Sequence, residues 1–286
     1  MSNTAKVAFV YLTNNPSKTR KNVKKLKQQL SKLDNVELFI CGYGTRAAQT
    51  EFEGIPFYTW DETQALGLEF LSKHRFDSSG KLIFIPGNAD YNHLLFYRQH
   101  SEFDYYYFCE DDVVYTGCMS ELVTELQTQD AALLCTHKAR SFADWKYANM
   151  FVFGEYNSDL PKYLAFLPFN RISNEAFKSI IHAYSKGLGG HFEMTYPYIM
   201  QTEGLEILDI GGSGEFVTSE FRDKHYLGYS QNGQQFGTFI CNPAFFAAGT
   251  QTNCLYHPVK APKEVLFTRW RRLRSIFDYY RSKFFK

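Results

Sequence analysis

The sequence predicts an α/β protein whose central sheet is mostly parallel, and three observations carry the prediction. Short β-rich apolar runs recur at 6–13, 36–44, 81–90 and 103–117, stretches of helical periodicity separate them, and no low-complexity linker or internal repeat interrupts the series. Alternation of this kind needs crossover connections, and crossovers make neighbouring strands parallel. At 286 residues, 44% of them hydrophobic and 21% charged, the chain can bury a full core, which excludes disorder and coiled coil as its main organisation.

The opening run KVAFVYLT (6–13) is a strand, closed by the turn Asn14-Asn15-Pro16-Ser17 and followed by a lysine-rich helical pattern through Leu33. A second strand, VELFICGYG (36–44), leads to the helix-like ETQALGLEFLSKHRF (62–76) and then to a third strand, KLIFIPGNAD (81–90). The fourth run, FDYYYFCEDDVVYTG (103–117), is an aromatic strand that stops at Glu110-Asp111-Asp112. A helix from Ser120 to Gln129 and the strand AALLCTHK (131–138) follow. The remaining half holds NMFVFGEY (149–156), a strand end and helix in PFNRISNEAFKSIIHAY (168–184), the loop GLGGHFE (187–193) and the strand LEILDIGG (205–212). In open parallel sheets ligands gather at the carboxyl ends of strands, here Thr13-Asn14-Asn15, Cys41-Gly42-Tyr43 and 86–90.

Charge and cysteine content narrow the function further. With 31 basic and 30 acidic side chains the net charge is +1, so no global field draws the chain to nucleic acid. The six cysteines form no CxxC pair, and the first residues, MSNTAKVAFVYL, lack the pattern of a signal peptide, so a cytoplasmic protein with free thiols is expected. No uninterrupted apolar run approaches the roughly 18 residues of a membrane span. Zinc spacing, a GxSxG elbow and a Walker loop are all missing from the sequence.

The acidic triplet is the feature that points to chemistry. Side chains alternate across a strand, so Glu110 and Asp112 share a face while Asp111 points elsewhere. Paired hard oxygens at the mouth of a sheet suit Mg²⁺ or Mn²⁺ bridging a diphosphate; a solvated acidic turn accounts for the same three residues.

Taken with their neighbours, these residues resemble the GT-A class of nucleotide-sugar-dependent glycosyltransferases. The stretch PGNADYNHLLFYRQHSEFDYYYFCEDDVVYTG (86–117) is similar to the part of that class where a glycine-containing strand end and a helix lead into an acidic EDD or DDD motif. Downstream, GLGGHFEMTYPYIM (187–200) resembles the glycine loop and acidic acceptor-side motif, and LYHPVK (255–260) resembles the segment of the late metal-binding histidine. The resemblance spans about 6–260 and rests on the order and spacing of motifs that are individually short.

It implies a single GT-A-like domain over 1–262, with a nucleotide-binding half at about 1–117 and an acceptor half at 118–262. Asp112 is the expected direct metal ligand, with Glu110 reaching the metal or the ribose, Asp111 behind them, and His257 supplying a nitrogen that suits Mn²⁺ somewhat better than Mg²⁺. Thr13, Asn14 and Asn15 are expected to form the nucleotide pocket and Tyr43 to stack on the base. Asp90, Arg98 and Lys260 are placed against ribose, sugar or diphosphate, although Arg98 equally suits a structural salt bridge. Glu193 is the expected general base of an inverting displacement, with His191 beside the acceptor or the phosphate. The residues alone leave Glu193 open between a base and a helix-N-terminal acid favoured by the macrodipole, and the chain departs from the class at this point by reading His-Phe-Glu where the class commonly ends in Glu-Asp, which leaves the base and the inversion open. Asp209 is the fallback base. Asn170-Arg171-Ile172-Ser173 is expected to line the donor-sugar pocket, with Ser173 also a natural helix cap.

The tail, RWRRLRSIFDYYRSKFFK (269–286), interleaves basic and aromatic residues, and 263–286 reads as a basic amphipathic helix that either packs on the domain or lies on an anionic membrane surface. The expectation is therefore a metal-dependent, hexosyltransferase-like enzyme, cytoplasmic or peripheral on the inner face of a membrane. It would move sugar from a UDP- or GDP-linked donor to a glycan or lipid-linked acceptor in surface polysaccharide or lipopolysaccharide synthesis. A retaining transferase, a sugar-nucleotide hydrolase and a non-catalytic nucleotide- or glycan-binding protein are the rivals.

Overall fold

A computed structural model describes residues 5–84, 87–139, 145, 147–156, 159–160, 162–228, 237–241, 243–264 and 266. Its strands are β1 (Val7–Leu12), β2 (Val36–Tyr43), β3 (Ala48–Phe52), β4 (Ile55–Trp60), β5 (Tyr105–Glu110), β6 (Val114–Tyr115), β7 (Leu133–Ala139), β8 (Leu164–Ser173), β9 (Ile207–Asp209) and β10 (Leu255–Tyr256). Between them lie α1 (Arg20–Leu30), α2 (Glu62–Leu66), α3 (Tyr91–Gln99), α4 (Met119–Leu126), α5 (Asn174–Ser185) and α6 (Phe192–Thr202). Eight strands form one sheet in the order β3-β4-β2-β1-β5-β8-β7-β9, in which only β3 and β8 run against the others.

The sheet is covered on both faces, which is why its central strands read as unbroken apolar runs. Along β1 every residue is buried: Ala8, Val10 and Leu12 enter the core shared with α3, α5 and α6, while Val7, Phe9 and Tyr11 enter the one shared with α1 and α4. On α1 the buried side chains Val23, Leu26 and Leu30 fall at helical spacing, and the surrounding lysines stay in water. Ser173 caps α5 by accepting from the Ala176 N–H at 3.1 Å.

Several elements differ from the sequence expectation. The helical pattern at 62–76 yields only α2, because the chain turns at Gly67 and again at Glu69, whose φ is +58°. The expected strand at 81–90 is irregular where it is described. Leu82 makes one isolated bridge to Phe76, and Gly87 takes φ +103° in the approach to α3. The hairpin β3–β4 is additional, closed by Glu53 and Gly54, both with positive φ. The segment 149–156, for which the sequence set no element, holds the end of a short 3₁₀ turn, Ala148–Met150, and a single bridge from Val152 to Gly189. The basic amphipathic helix expected at 263–286 falls almost wholly on residues outside the described ones. Among the described residues, no helix is long and apolar enough to cross a membrane.

Candidate active site

Adjacent carboxyl ends of parallel strands build the site. β1 and β5 pair in register with Leu12 beside Glu110, so Thr13 and the acidic triplet leave the sheet side by side. The three carboxylates then divide as the alternation predicts. Asp111 turns toward β1, where its Oδ2 accepts from the Thr13 hydroxyl at 2.6 Å and its carbonyl accepts from the Tyr11 hydroxyl at 3.2 Å. Glu110 and Asp112 face the other way, toward His257.

His257 reaches them from far along the chain because β10 pairs antiparallel with β6, which immediately follows the triplet, and the Val259 N–H binds the Asp112 carbonyl at 2.7 Å. His257 Nε2 lies 3.3 Å from Asp112 Oδ1 and 3.8 Å from Glu110 Oε2, and ligand atoms of the three residues all fall within 4.8 Å of one another. The other ring nitrogen, Nδ1, sits 2.8 Å from the Ile240 carbonyl. A carbonyl can only accept, so Nδ1 carries a proton and Nε2 is the ring atom turned toward the carboxylates: protonated it pairs with Asp112, and deprotonated it offers a lone pair to a cation held between them. Sequence reasoning missed Ile240, since a backbone acceptor leaves no trace in residue type.

This donor set fits a divalent cation. Two carboxylates and an imidazole nitrogen suit Mn²⁺ or Mg²⁺, and their ligand atoms already stand close enough together to share one cation. The half-exposed Lys260 ammonium lies 3.2 Å from Asp112 Oδ2. Burial alone would raise the Asp112 carboxyl, but His257 and Lys260 outweigh it and hold the group below its ordinary range. Burial opposes a charged His257 too, yet Asp112 and Glu110 lift its imidazole to about 9. Asp111 moves upward through burial and the two neighbouring carboxylates, against the Thr13 hydrogen bond.

The expected nucleotide side is assembled next to this cluster. Asn14 Oδ1 accepts from the Tyr43 N–H at 2.7 Å and the Asn15 N–H reaches the Thr13 hydroxyl at 3.2 Å, so the ends of β1 and β2 are laced together. The lacing requires Gly42, because a Cβ there would stand 2.3 Å from the Thr13 carbonyl oxygen. Tyr43 is partly exposed and packs against Trp60 and Phe84, with ring centres 5.1 Å and 4.4 Å away.

Glu193 stands in the first turn of α6, two residues after His191, whose Nδ1 accepts from the Glu193 N–H at 3.3 Å. Its Oε1 takes the Leu167 N–H at 3.4 Å, and its Oε2 lies 3.7 Å from His191 Nδ1. Burial is the main reason its carboxyl is pushed up to about 8; Glu110 adds to the rise, while the Leu167 N–H and His257 oppose it. Glu193 is thus both a helix-N-terminal acid and a perturbed carboxyl that feels the charges of the acidic cluster.

Other expected site residues are engaged elsewhere. Asp90 is fully buried against Lys73 at 2.9 Å and is not open to a ribose or a diphosphate. Arg98 projects from the end of α3 and donates to the Gly67 carbonyl at 3.0 Å, the structural role that the sequence left open. Asp209 is held by the Tyr226 hydroxyl at 2.7 Å and the Lys138 N–H at 3.0 Å, and burial is the main cause of its rise to about 6. In 170–173, Arg171 is sealed in the core. Its guanidinium donates to the carbonyls of Leu126, Gln129 and Ala131 at 2.7, 2.6 and 2.8 Å, which fastens β8 to the end of α4 and leaves it no reach to a donor sugar.

No family model matches the sequence, and no curated protein does. Solved structures are similar to it at a distance. A structure described as a glucose-1-phosphate thymidylyltransferase from Bacillus anthracis, with sucrose, is 10% identical over 71% of this chain and 86% of that one, at a TM-score of 0.35. The galactosyltransferase LgtC with donor and acceptor sugar analogues is 12% identical over 59% of this chain and 58% of its own, at 0.36. A structure described as a nucleotide-diphospho-sugar transferase from Desulfovibrio desulfuricans G20 is 11% identical over 72% and 79%, at 0.33.

Proposed function

We propose that this chain is a divalent-metal-dependent glycosyltransferase that moves a sugar from a nucleoside-diphosphate donor to the hydroxyl of a glycan or lipid-linked acceptor, with inversion at the anomeric carbon. The observation that carries the reading is the convergence of Glu110, Asp112 and His257 at a sheet mouth, with the separate carboxyl Glu193 electrostatically linked to them. Such a division of labour suits a displacement in which negative charge grows on one side and a proton leaves on the other.

Asp112, Glu110 and His257 would hold Mn²⁺ or Mg²⁺, which when bound neutralises charge on a departing diphosphate. Thr13, Asn14 and Asn15 frame the nucleotide, and the face of Tyr43 offers the base a stacking surface. Lys260 is exposed enough to turn from Asp112 toward the diphosphate and pair with its oxygens. Glu193, once ionised, takes the proton of the acceptor hydroxyl as that oxygen attacks C1 and the bond from C1 to the diphosphate breaks. A buried carboxyl with a raised pKa is a stronger base than a solvated one, and the Leu167 N–H keeps Oε1 in place.

The decisive experiment screens UDP- and GDP-sugars with Mn²⁺ for release of the nucleoside diphosphate, first with the wild type and then with Glu193→Gln. Transfer to a glycan acceptor is expected to fall by about 10³ in kcat in the variant, with donor affinity unchanged. Full turnover by Glu193→Gln would remove the base. NMR of the product anomer decides inversion, and binding without release from any donor would leave only a nucleotide-binding module.

A further inference from the structure

Beneath the loop that launches α6 lies an ion pair that the site does not use directly. Lys73 and Asp90 are both 0% exposed, with Lys73 Nζ at 2.9 Å from Asp90 Oδ2 and 3.1 Å from Oδ1. Burial works against both charges, and a buried pair of this kind is weak evidence for stability on its own. Its connections are more informative. Lys73 Nζ also donates to the Gly190 carbonyl at 2.9 Å and stands over the Tyr184 ring, 4.9 Å from its centre. The Tyr184 hydroxyl donates to Asp90 Oδ2 at 3.0 Å and lies 2.6 Å from the Thr195 hydroxyl. One buried network therefore grips α6 twice, at Gly190 just before its capping His191 and at Thr195 in its first turn, with Glu193 between the two grips.

The surrounding backbone leaves that loop nowhere else to go. A Cβ on Gly189 would stand 2.2 Å from the Ser72 carbonyl oxygen, and one on Gly190 would stand 2.8 Å from the Met150 carbonyl oxygen. The Phe192 N–H binds the Gly87 carbonyl at 3.1 Å, which ties the start of α6 to the turn that also holds Asp90. The loop is pressed onto the Ser72–Lys73 segment and fixed there by the ammonium.

We propose that the Lys73–Asp90 pair is a positioning device for Glu193, setting the place of the first turn of α6 relative to the Glu110–Asp112–His257 cluster. The inference rests on the reading of Glu193 as the acceptor-side base. Neither residue touches substrate; both act through the backbone at 190–195.

The test uses Lys73→Met and the paired variant Lys73→Met/Asp90→Asn. The paired variant removes both charges yet keeps an oxygen for the Tyr184 hydroxyl, so it remains informative if the single change strands a carboxylate and unfolds the chain. In the paired variant kcat should fall by about 100-fold, the scale of a misplacement near 1 Å, with the donor KM unchanged. Placed in a Glu193→Gln background, the same two changes should cost no further turnover. An equal loss in both backgrounds, or no loss in either, overturns the proposal, since a purely structural pair would not depend on Glu193. Hydrogen exchange of the full-length protein asks the same question without turnover: the amides of 187–195 should lose at least tenfold protection while those of β1 and β5 keep theirs. Unchanged protection at 187–195 overturns the positioning role even if no sugar nucleotide proves to be a substrate, and a chain that transfers nothing but shows the local loss rejects the base while keeping the device.

Discussion

Gly42→Ala probes the nucleotide side with one added methyl group. In the wild type the backbone at Gly42 runs directly beneath Thr13, and the new Cβ would lie 2.3 Å from the Thr13 carbonyl oxygen and 2.8 Å from Asn14 Oδ1. A carbon needs about 3.3 Å from a carbonyl oxygen, so one segment must retreat by about 1 Å. β2 is held on its other side by β4, with Gly42 opposite Thr59, so the retreat falls on the β1 loop. That loop carries the 2.6 Å bond from the Thr13 hydroxyl to Asp111 and the 2.7 Å bond from the Tyr43 N–H to Asn14. Overpacking of this size costs about 1–3 kcal/mol of stability, and a similar share lost from binding weakens nucleotide affinity by about 10- to 100-fold. Calorimetric titration of UDP and GDP in Mn²⁺ measures the affinity, and thermal unfolding measures the stability. A variant that unfolds earlier but binds both nucleotides as the wild type does would show that the pocket does not lie between β1 and β2.

Three further expectations concern metal, pH and surface. Asp112→Asn should weaken Mn²⁺ binding at least tenfold by calorimetry while leaving the fold intact, because one of the two carboxylates of the cluster becomes a neutral amide; unchanged Mn²⁺ affinity would dissolve the metal site. Asp209, raised to about 6 in the fold, binds its proton more tightly there than in the unfolded chain, so its contribution is full at acid pH and is lost as pH rises through about 6. Urea unfolding should show the wild type losing up to about 3 kcal/mol between pH 4 and 7 relative to Asp209→Asn; parallel pH profiles would rule the effect out. Pelleting with anionic liposomes should retain the full chain and lose one ending at Phe267, since each basic residue near such a surface contributes about 1 kcal/mol; equal pelleting removes the membrane partner.

The legible parts of this protein are those where residue type alone sets position. β1 and β5 are buried on both faces and so read as apolar runs, and strict alternation at the end of β5 by itself separates Asp111 from Glu110 and Asp112. Ser173 was legible as a cap for the same local reason. What failed depends on distant partners. The segment 81–90 carries a strand's composition, but Asn88 ties it into a turn by donating to the carbonyls of Lys73 and Ile83 at 3.1 Å and 2.9 Å. Asp90 ends an apolar run near a glycine and so reads as a ligand contact, whereas its partner is a lysine that sits in a helical pattern and looks solvent-facing. The hairpin β3–β4 carries one local signal, the turn Glu53-Gly54 before the β-rich IPFYTW, while β3 is exposed and polar and so forms no apolar run.

Pairing of β10 with β6 has a consequence for when the protein becomes competent. Glu110 and Asp112 leave the ribosome early, whereas His257 and the carbonyl of Ile240 that aims it emerge about half a chain length later. Until that ribbon closes, an unfinished or clipped polypeptide has only a pair of carboxylates with which to grip a cation. The three-sided arrangement of Glu110, Asp112 and His257 thus exists only once the late ribbon has paired with the early one.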